Sequence, residues 1–423
     1  MIFPEKLLHF IWQTRRFDMQ NLQDSEGNVI RIINVGTLNP NQGADFLNAK
    51  IEMGGVTFTG DVELHIDSRE WYQHGHHTDA QYNSVILHVV YRANGAKIMR
   101  KDMSICPEMV LENRIATELL NQYALLQAEK SLIPCEKLFP AIAQDFQTKQ
   151  WIEGLGIGRI GEKAEKMELR LQELKKDWEQ VAWENLLVYM CGTVNAMAAQ
   201  RLGEVLPFSI VKKYADTLPK MEALLFGASG LLLSAEKDVF TETMTHEWTY
   251  LQAKHTLSCT EIPFSYLRMH PANFPDIRLA QIAAIVNQYP QLTQLLEMSE
   301  IAHFIDEPFL PSEYWQTHYK LGKDSVSKAK PLGQAQKEIL LINLLAPLGF
   351  LYRNAHGRED ASEWVVDLLS ILHIEKNSLT RIFLDLGFPA ENALHSQGLI
   401  ACKKGYCDAK KCLDCGIGNR LLR

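Results

Sequence analysis

Two hydrophobic periods divide the chain. Up to about Pro107, apolar residues alternate or run in short blocks bounded by glycines, as strands require; beyond it they recur at three- and four-residue spacing, as amphipathic helices require. The first part opens with Leu7, Leu8, Phe10, Ile11 and Trp12, which predict a short helix between Pro4 and Phe17, and continues in a strand-like run from Val29 to Val35. Phe46 to Met53 runs into Gly54-Gly55 and Val56 to Ile66 returns, which predicts a hairpin. Val85 to Tyr91, apolar almost throughout apart from His88, predicts a central strand covered on both faces. Asn94-Gly95 predicts a second hairpin, joining that strand to Ala96 to Met103.

Helical spacing then takes over, at Glu112 to Glu129, Phe146 to Glu153 and Glu162 to Gln180, and again at Asn185 to Leu202, Pro219 to Leu233 and Phe240 to His255. Further stretches follow at Arg278 to Asn287, Ala335 to Leu345, Glu363 to Leu372 and Asn377 to Leu386. Gly154, Gly156, Gly158 and Gly161 look like a phosphate-binding loop but lack the preceding strand, so they predict a flexible helix entry. The polar gap Gly322 to Lys330 predicts a mobile loop. Trp315, His318, Tyr319 and Lys320, after a proline break, read as packing rather than as a surface for stacking bases.

At 423 residues the chain exceeds what one hydrophobic core usually holds. The change of period sets the divisions at 1–115 (mixed α/β), 116–400 (all-helical) and 401–423 (a cysteine-rich tail), a multi-domain α+β protein. Hydrophobic residues are 46% and charged residues 22%, which excludes a disordered chain. A net charge of −8 argues against nonspecific coating of nucleic acid. The longest apolar run, Ile339 to Tyr352, is broken by Asn343 and Pro347 and is too short for a bilayer, and Met1 to Trp12 lacks a signal-peptide pattern. A cytoplasmic protein without membrane contact is expected. Cys106, Cys135, Cys191 and Cys259 stand singly among apolar residues, as buried cysteines of a reduced compartment do.

Carboxylates and imidazoles crowd the stretch from Asp45 to His88. Strand alternation puts Asp61, Glu63 and His65 on one face and Val62, Leu64 and Ile66 on the other. His65, His74, His76, His77, Asp79 and His88 have the donors for a Zn, Mn or Fe site with an open position. The plainer alternative makes Asp61 and Asp67 surface residues, His74 to His77 a solvated loop and His88 a core histidine. Cys402, Cys407, Cys412 and Cys415 follow a C-x4-C-x4-C-x2-C spacing among lysines, which suits Zn²⁺ or an iron-sulfur cluster and leaves Cys402 either a fourth ligand or a bystander. Arg268 and Arg278 flank a proline-broken helix start and are candidates for substrate phosphate, with structural ion pairs the commoner use.

The order helix, strand, Asp-led strand, hairpin, strand with Glu63-Leu64-His65, short helix, apolar strand resembles the core of the PD-(D/E)XK, or restriction endonuclease-like, superfamily over the first quarter of the chain. The resemblance implies Mg²⁺ or Mn²⁺ on Asp45 and Glu63, water activation against a phosphodiester, and nucleic acid as partner. The chain departs from the motif at Ala44, in the proline position, and at His65, in the lysine position, where an imidazole would assist the water. Some nucleases of that superfamily carry a cysteine-bound cluster near the C-terminus. Taken whole, the chain resembles a bacterial family of uncharacterised proteins through Leu8-His9-Phe10-Ile11-Trp12-Gln13, Gly43-Ala44-Asp45-Phe46, Gly60-Asp61-Val62-Glu63-Leu64-His65, His74-Gly75-His76, Val85 to Val90, Asn273-Phe274-Pro275, Arg278-Leu279-Ala280-Gln281, Tyr406-Cys407 and Cys412-Leu413-Asp414-Cys415. That family imports no activity. Three readings stand: a metal-dependent nuclease using Asp45, Glu63 and His65; a non-enzymatic adaptor for nucleic acid or protein with structural metals; and a Zn or Mn hydrolase of a small molecule with His74 or His76 beside His88.

Overall fold

The computed structural model describes residues 3–95, 97–128, 130–258, 261–297 and 301–422, so Cys259 lies outside the described residues. The chain divides into two compact units, residues 1–151 with 402–423, and residues 152–401. The sequence divisions stood at 115/116 and 400/401; by contacts the cysteine-rich segment groups with the N-terminal unit. The whole is a mixed α/β sheet region plus many helices.

The first unit is built on helix α1 (Glu5–Gln13) and strands β1 (Ile30–Asn34), β2 (Thr37–Leu38), β3 (Phe46–Met53) and β4 (Val56–Asp67). After these come α2 (Glu70–Gln73), β5 (Val85–Arg92), β6 (Ile98–Met99), β7 (Ile105–Cys106), β8 (Glu108–Val110) and α3 (Thr117–Ala128). The sheet runs β1-β3-β4-β5-β8, with β2 also on β3. β1, β3 and β4 pair antiparallel, while β4, β5 and β8 are parallel. The β3–β4 hairpin turns on Gly54 (φ 59°) and Gly55 (φ 84°), the two left-handed residues such a tight turn demands. α1 buries Leu7, Leu8, Phe10, Ile11 and Trp12 and lies against β4.

β5 is central, between β4 and β8, and Val85, Leu87, Val89 and Val90 are fully buried. Its parallel partners explain why the expected second hairpin does not form. β8 offers β5 a buried edge, and β6 pairs instead with β7 across a turn held by Arg100 N–H on Ser104 O.

The second unit is helical around one large core that includes Trp183, Phe226, Leu279, Trp315 and Leu345. The glycine-rich stretch is no helix entry. A single helix, Phe146–Glu173, runs straight through Gly154, Gly156, Gly158 and Gly161. A Cβ on Gly156 would lie 2.5 Å from Leu394 O, and one on Gly398 would lie 1.9 Å from Ile152 O. This pair of glycines lets the helix meet Ala393–Cys402 backbone to backbone, which repays the roughly 1 kcal/mol that a helical glycine costs. The polar gap is tied down as well: Lys323–Asp324 pairs with His318–Lys320, and buried Lys330 donates to the carbonyls of Trp315, Gln316 and Lys328 at 2.7, 2.7 and 3.2 Å. Trp315 is packing, with its indole N–H on Glu222 at 2.9 Å.

Candidate metal centre

The local fold that builds the site begins with a bulge. β3 and β4 pair as Phe46↔Val62 and then as Ala49↔Gly60, so two residues of β3 oppose one of β4. Asn48 takes up the extra length at φ 57°, and its N–H donates to Asp61 at 3.1 Å. Asp61 also accepts from the Ser84 hydroxyl at 2.7 Å. That carboxylate closes the bulge and belongs with the surface reading. The turn of the chain aims Asp45 at β4 instead. Its Oδ2 accepts from Leu64 N–H at 2.9 Å, and its own N–H donates to Glu63 Oε2 at 3.1 Å, so each acid is held by the other's strand.

Across the sheet, Glu63 is the register partner of His88, and His88 of Glu108. Parallel pairing therefore lines up carboxylate, imidazole and carboxylate in one row, with His65 two residues from Glu63 on the same face. Nδ1 of His88 lies 3.0 Å from Glu108 Oε2, Nε2 of His88 lies 2.8 Å from Nδ1 of His65, and Nε2 of His65 lies 3.2 Å from Nδ1 of His74. An ionised carboxylate only accepts, which assigns the proton order. His88 donates to Glu108, His65 donates to His88, and the lone pair on Nε2 of His65 is left to accept from His74 Nδ1. The same nitrogen lies 3.6 Å from Glu63 Oε1.

His76 follows Gly75, whose φ of 78° turns the chain back over the sheet. Its Nε2 sits 3.0 Å from Glu63 Oε1, but off the direction of a hydrogen bond, so this buried nitrogen has no hydrogen-bond partner. The ring nitrogens of His65, His74 and His76 lie within 4.8 Å of one another. A second triad, Glu5, His9 and Asp45, converges within the same limit, with His9 Nε2 at 3.5 Å from Glu5 and 3.3 Å from Asp45. Trp71 walls the cluster, its ring centroid 5.4 Å from His76 and 5.2 Å from His88, and Tyr82 stacks on His76 at 3.8 Å.

Burial sets the protonation of the inner groups. It pushes His65 down to about 2, with the charges of His88, His76, His74 and His9 adding to the effect, and it lowers His88 against the pull of Glu108. Both imidazoles are neutral at physiological pH, as ligands and their supports must be. Burial raises Glu63, and the nearby Asp45 charge raises it further, while His76 opposes the shift. At the outer edge burial works against protonation of His9, yet contacts with Asp45 and Glu5 carry it up to about 9. Glu63 and His65 are 5% and 1% exposed, whereas Glu5 and His74 are exposed, so the cluster opens on the α1 side.

Asp45, Glu63, His65, His76 and His88, all expected from sequence, thus come together in one unit. His88 spends both nitrogens on Glu108 and His65, which gives it a supporting place. Arg268 and Arg278 lie in the other unit: Arg268 is exposed at φ 59°, and Arg278 is buried with its guanidinium on Asn273 at 2.6 Å and Gln281 at 2.9 Å. Sequence reasoning passed over Glu5, His9 and Glu108. The first two carried a signal, an acid and an imidazole four residues apart on the polar face of an amphipathic helix; Glu108 carried none.

Of the cysteines, Cys402 ends helix Ala393–Cys402, Cys407 ends the π-helical turn Lys403–Cys407, and Cys415 caps helix Gly416–Leu421. Cys106 is a lone buried thiol against the Val85 carbonyl, and Cys191 is buried in the helical core. Cys135 is not isolated. It lines one small cavity with Cys407, Cys412 and Cys415. The Cys415 thiol is lowered to about 7, first by a hydrogen bond from Cys402 and then by the N–H groups of Gly418 and Ile417, against its burial.

The fold and its buried cluster define a class, a mixed α+β protein with an imidazole- and carboxylate-lined centre on its sheet. The chain belongs to the family described as Protein of unknown function (DUF2851), whose model matches residues 5–378. The match takes in the whole imidazole cluster and ends before the C-terminal cysteines. No curated protein and no solved structure matches the chain. Among the described residues no helix is long and apolar enough to cross a membrane.

Proposed function

We propose that the cluster on β3, β4 and β5 holds a divalent transition metal and hydrolyses phosphodiester bonds of nucleic acid. The observation that carries this is the orphaned Nε2 of buried His76, facing Glu63 beside the lone pair of His65. Three imidazoles and a carboxylate meeting in this way waste hydrogen-bonding capacity unless a cation sits among them. Asp45, Glu63, His65, His74 and His76 are the residues that would hold it, and an imidazole-rich set selects Mn, Zn or Fe over Mg. Such an ion lowers the pKa of a bound water and polarises a phosphoryl oxygen. The chain itself does the rest. Leu64 N–H orients Asp45, the Glu108–His88 pair fixes the tautomer of His65, and Trp71 keeps water from the inner side.

The choice of phosphodiester rests on topology. The order α1, β1, Asp45 leading into β3, the β3–β4 hairpin, Glu63-x-His65 on β4, the short α2 and apolar β5 follows the element order on which the nuclease-like resemblance rests, and this supports the reading. The test uses purified chain with Mn²⁺, Zn²⁺, Fe²⁺ or Mg²⁺ in turn, on labelled single- and double-stranded DNA and RNA and on bis(p-nitrophenyl) phosphate. Hydrolysis by the wild type that falls to background in Glu63→Gln and Asp45→Asn is expected. Bound metal with no phosphodiester turnover under any of these conditions would defeat the nuclease reading and leave the adaptor or a small-molecule hydrolase.

A further inference from the structure

The first unit gathers five thiols that sequence spacing alone does not unite. Cys135, far upstream, lines a small apolar cavity together with Cys407, Cys412 and Cys415, between Pro134, Tyr406 and Gly418. The space is small, about 10 Å³, and its exposed lining is apolar. All of these cysteines are free thiols. Cys402, 1% exposed, sits beside the set with its sulfur hydrogen-bonded to Cys407 and Cys415.

The surroundings are shaped to bring these sulfurs together. Gly418 packs so closely that a Cβ there would lie 2.2 Å from Cys412 O, and a Cβ on Gly416 would lie 2.5 Å from the Trp151 ring. The Cys415 sulfur accepts backbone N–H bonds from Ile417 and Gly418. Metal-bound thiolates are held by backbone N–H groups placed in this way. Trp151, against Gly416, has an indole N–H with no oxygen or nitrogen partner and the Cys415 sulfur as its neighbour. Around this point the segment is pinned at three further places: Lys410 on Gln127 O at 2.7 Å, Arg16 on Asn419 at 2.6 Å, and Arg420 on Asp145.

We propose that Cys135, Cys407, Cys412 and Cys415 form a tetrathiolate metal centre that staples the C-terminal segment to the first unit, with Cys402 as an S–H donor to it rather than a ligand. Four thiols lining one apolar cavity gain nothing from hydrophobic burial that valine or alanine would not supply. They do satisfy a thiophilic cation in tetrahedral or cluster geometry. Binding of one divalent ion releases four thiol protons and leaves a site of charge −2, offset by Lys404, Lys410 and Lys411 on the same segment. The site stands apart from the hydrolytic reading, since none of its residues belongs to the imidazole cluster.

The shared chemistry is thiolate ligation, and its occupant is either zinc or an iron-sulfur cluster. The test is elemental and sulfide analysis of full-length protein purified without oxygen, wild type beside Cys135→Ser, Cys402→Ser and Cys106→Ser. One zinc per chain, or iron with matching acid-labile sulfide and a brown chromophore, that is also retained in Glu63→Gln protein supports the centre and names its occupant. Cys135→Ser loses the metal, while Cys402→Ser and Cys106→Ser retain it. Because Cys135→Ser could fail by misfolding, Cys135→His is made alongside: imidazole replaces thiolate in such sites, so it retains metal where serine does not. In native protein the Cys135 thiol resists alkylation until a chelator is added. Metal-free wild type, or a Cys135→Ser protein with full metal content beside a metal-free Cys402→Ser, overturns the assignment.

Discussion

The two units treat buried charge in opposite ways. In the first, Glu63, His65, His76, His88 and Glu108 are all buried and lie against one another. In the second, buried ionisable groups are dispersed, most of them singly against neutral partners: Lys330 on three carbonyls, Arg278 on two amide side chains, Asp276 on Tyr266 and Leu321 N–H, Glu222 on the Trp315 indole, while Glu184 and His395 each meet one partner of opposite sign, Arg170 and Glu153. A dispersed charge satisfied by dipoles is a structural element that fixes a loop or a helix start. A convergent set of imidazoles and carboxylates is the arrangement a bound cation would complete. Convergence, rather than the presence of buried acids and histidines, is what sets the first unit apart.

Glu222 offers the strongest way to break that contrast. Its carboxyl is wholly buried, and burial pushes it up to about 7 against the bonds from Ser312 and Trp315. The folded state therefore binds this proton more tightly than the unfolded chain does. Its contribution is greatest below the unfolded value of 4.5 and is lost as pH rises from there to about 7. At 1.4 kcal/mol for each pKa unit the loss amounts to about 3 kcal/mol. Glu222→Gln keeps the acceptor for the indole and removes the titration, so between pH 5 and 8 its stability in urea should fall less than that of the wild type, with bound metal unchanged. Equal slopes for the two proteins would show that Glu222 does not bind its proton more tightly in the folded state, and that the second unit sustains an isolated buried charge.

Glu108 sharpens the contrast from the other side. It touches no proposed ligand position and acts through His88 on His65. Removing such a support costs metal affinity roughly 10- to 100-fold. Glu108→Gln should weaken Mn²⁺ or Zn²⁺ binding at the N-terminal cluster by that factor in calorimetric titration, while kcat at saturating metal changes less. An unaltered affinity would mean that the Glu108–His88–His65 row is core polar packing and does not position a ligand.

What the sequence made legible follows the same division. The β3–β4 hairpin was readable almost to the residue, because Gly54-Gly55 and alternation are local signals. Asp45, Glu63 and His65 were readable because alternation puts Glu63 and His65 on one face and the hairpin brings Asp45 beside them. Glu108 was not, because its meeting with His88 depends on β8 taking the far edge of β5, a pairing set by tertiary packing. Cys135 was hidden for the same reason: its partners come from the distant C-terminal segment. Asp61 sits on the β3–β4 bulge, where regular pairing is interrupted, and there it binds the Asn48 N–H instead of a cation.

The glycine stretch gives the smallest test and the cleanest internal control. Local propensity favours a loop at Gly154 to Gly161, yet packing against Ala393–Cys402 overrides it, so only the glycines at the contact should be needed. Gly158 is exposed, and a Cβ there meets nothing within 4 Å. Gly158→Ala relieves the backbone entropy of a helical glycine and should stabilise the helix by about 0.5–1 kcal/mol. In thermal unfolding of a unit this size that is a rise of roughly 1–4 °C. Gly398→Ala, whose Cβ would strike Ile152 O, should move the midpoint the other way and further. If both substitutions destabilise, the stretch needs its flexibility after all; if opposite signs are measured, these glycines serve helix contact, and anion binding loses its last support in the second unit.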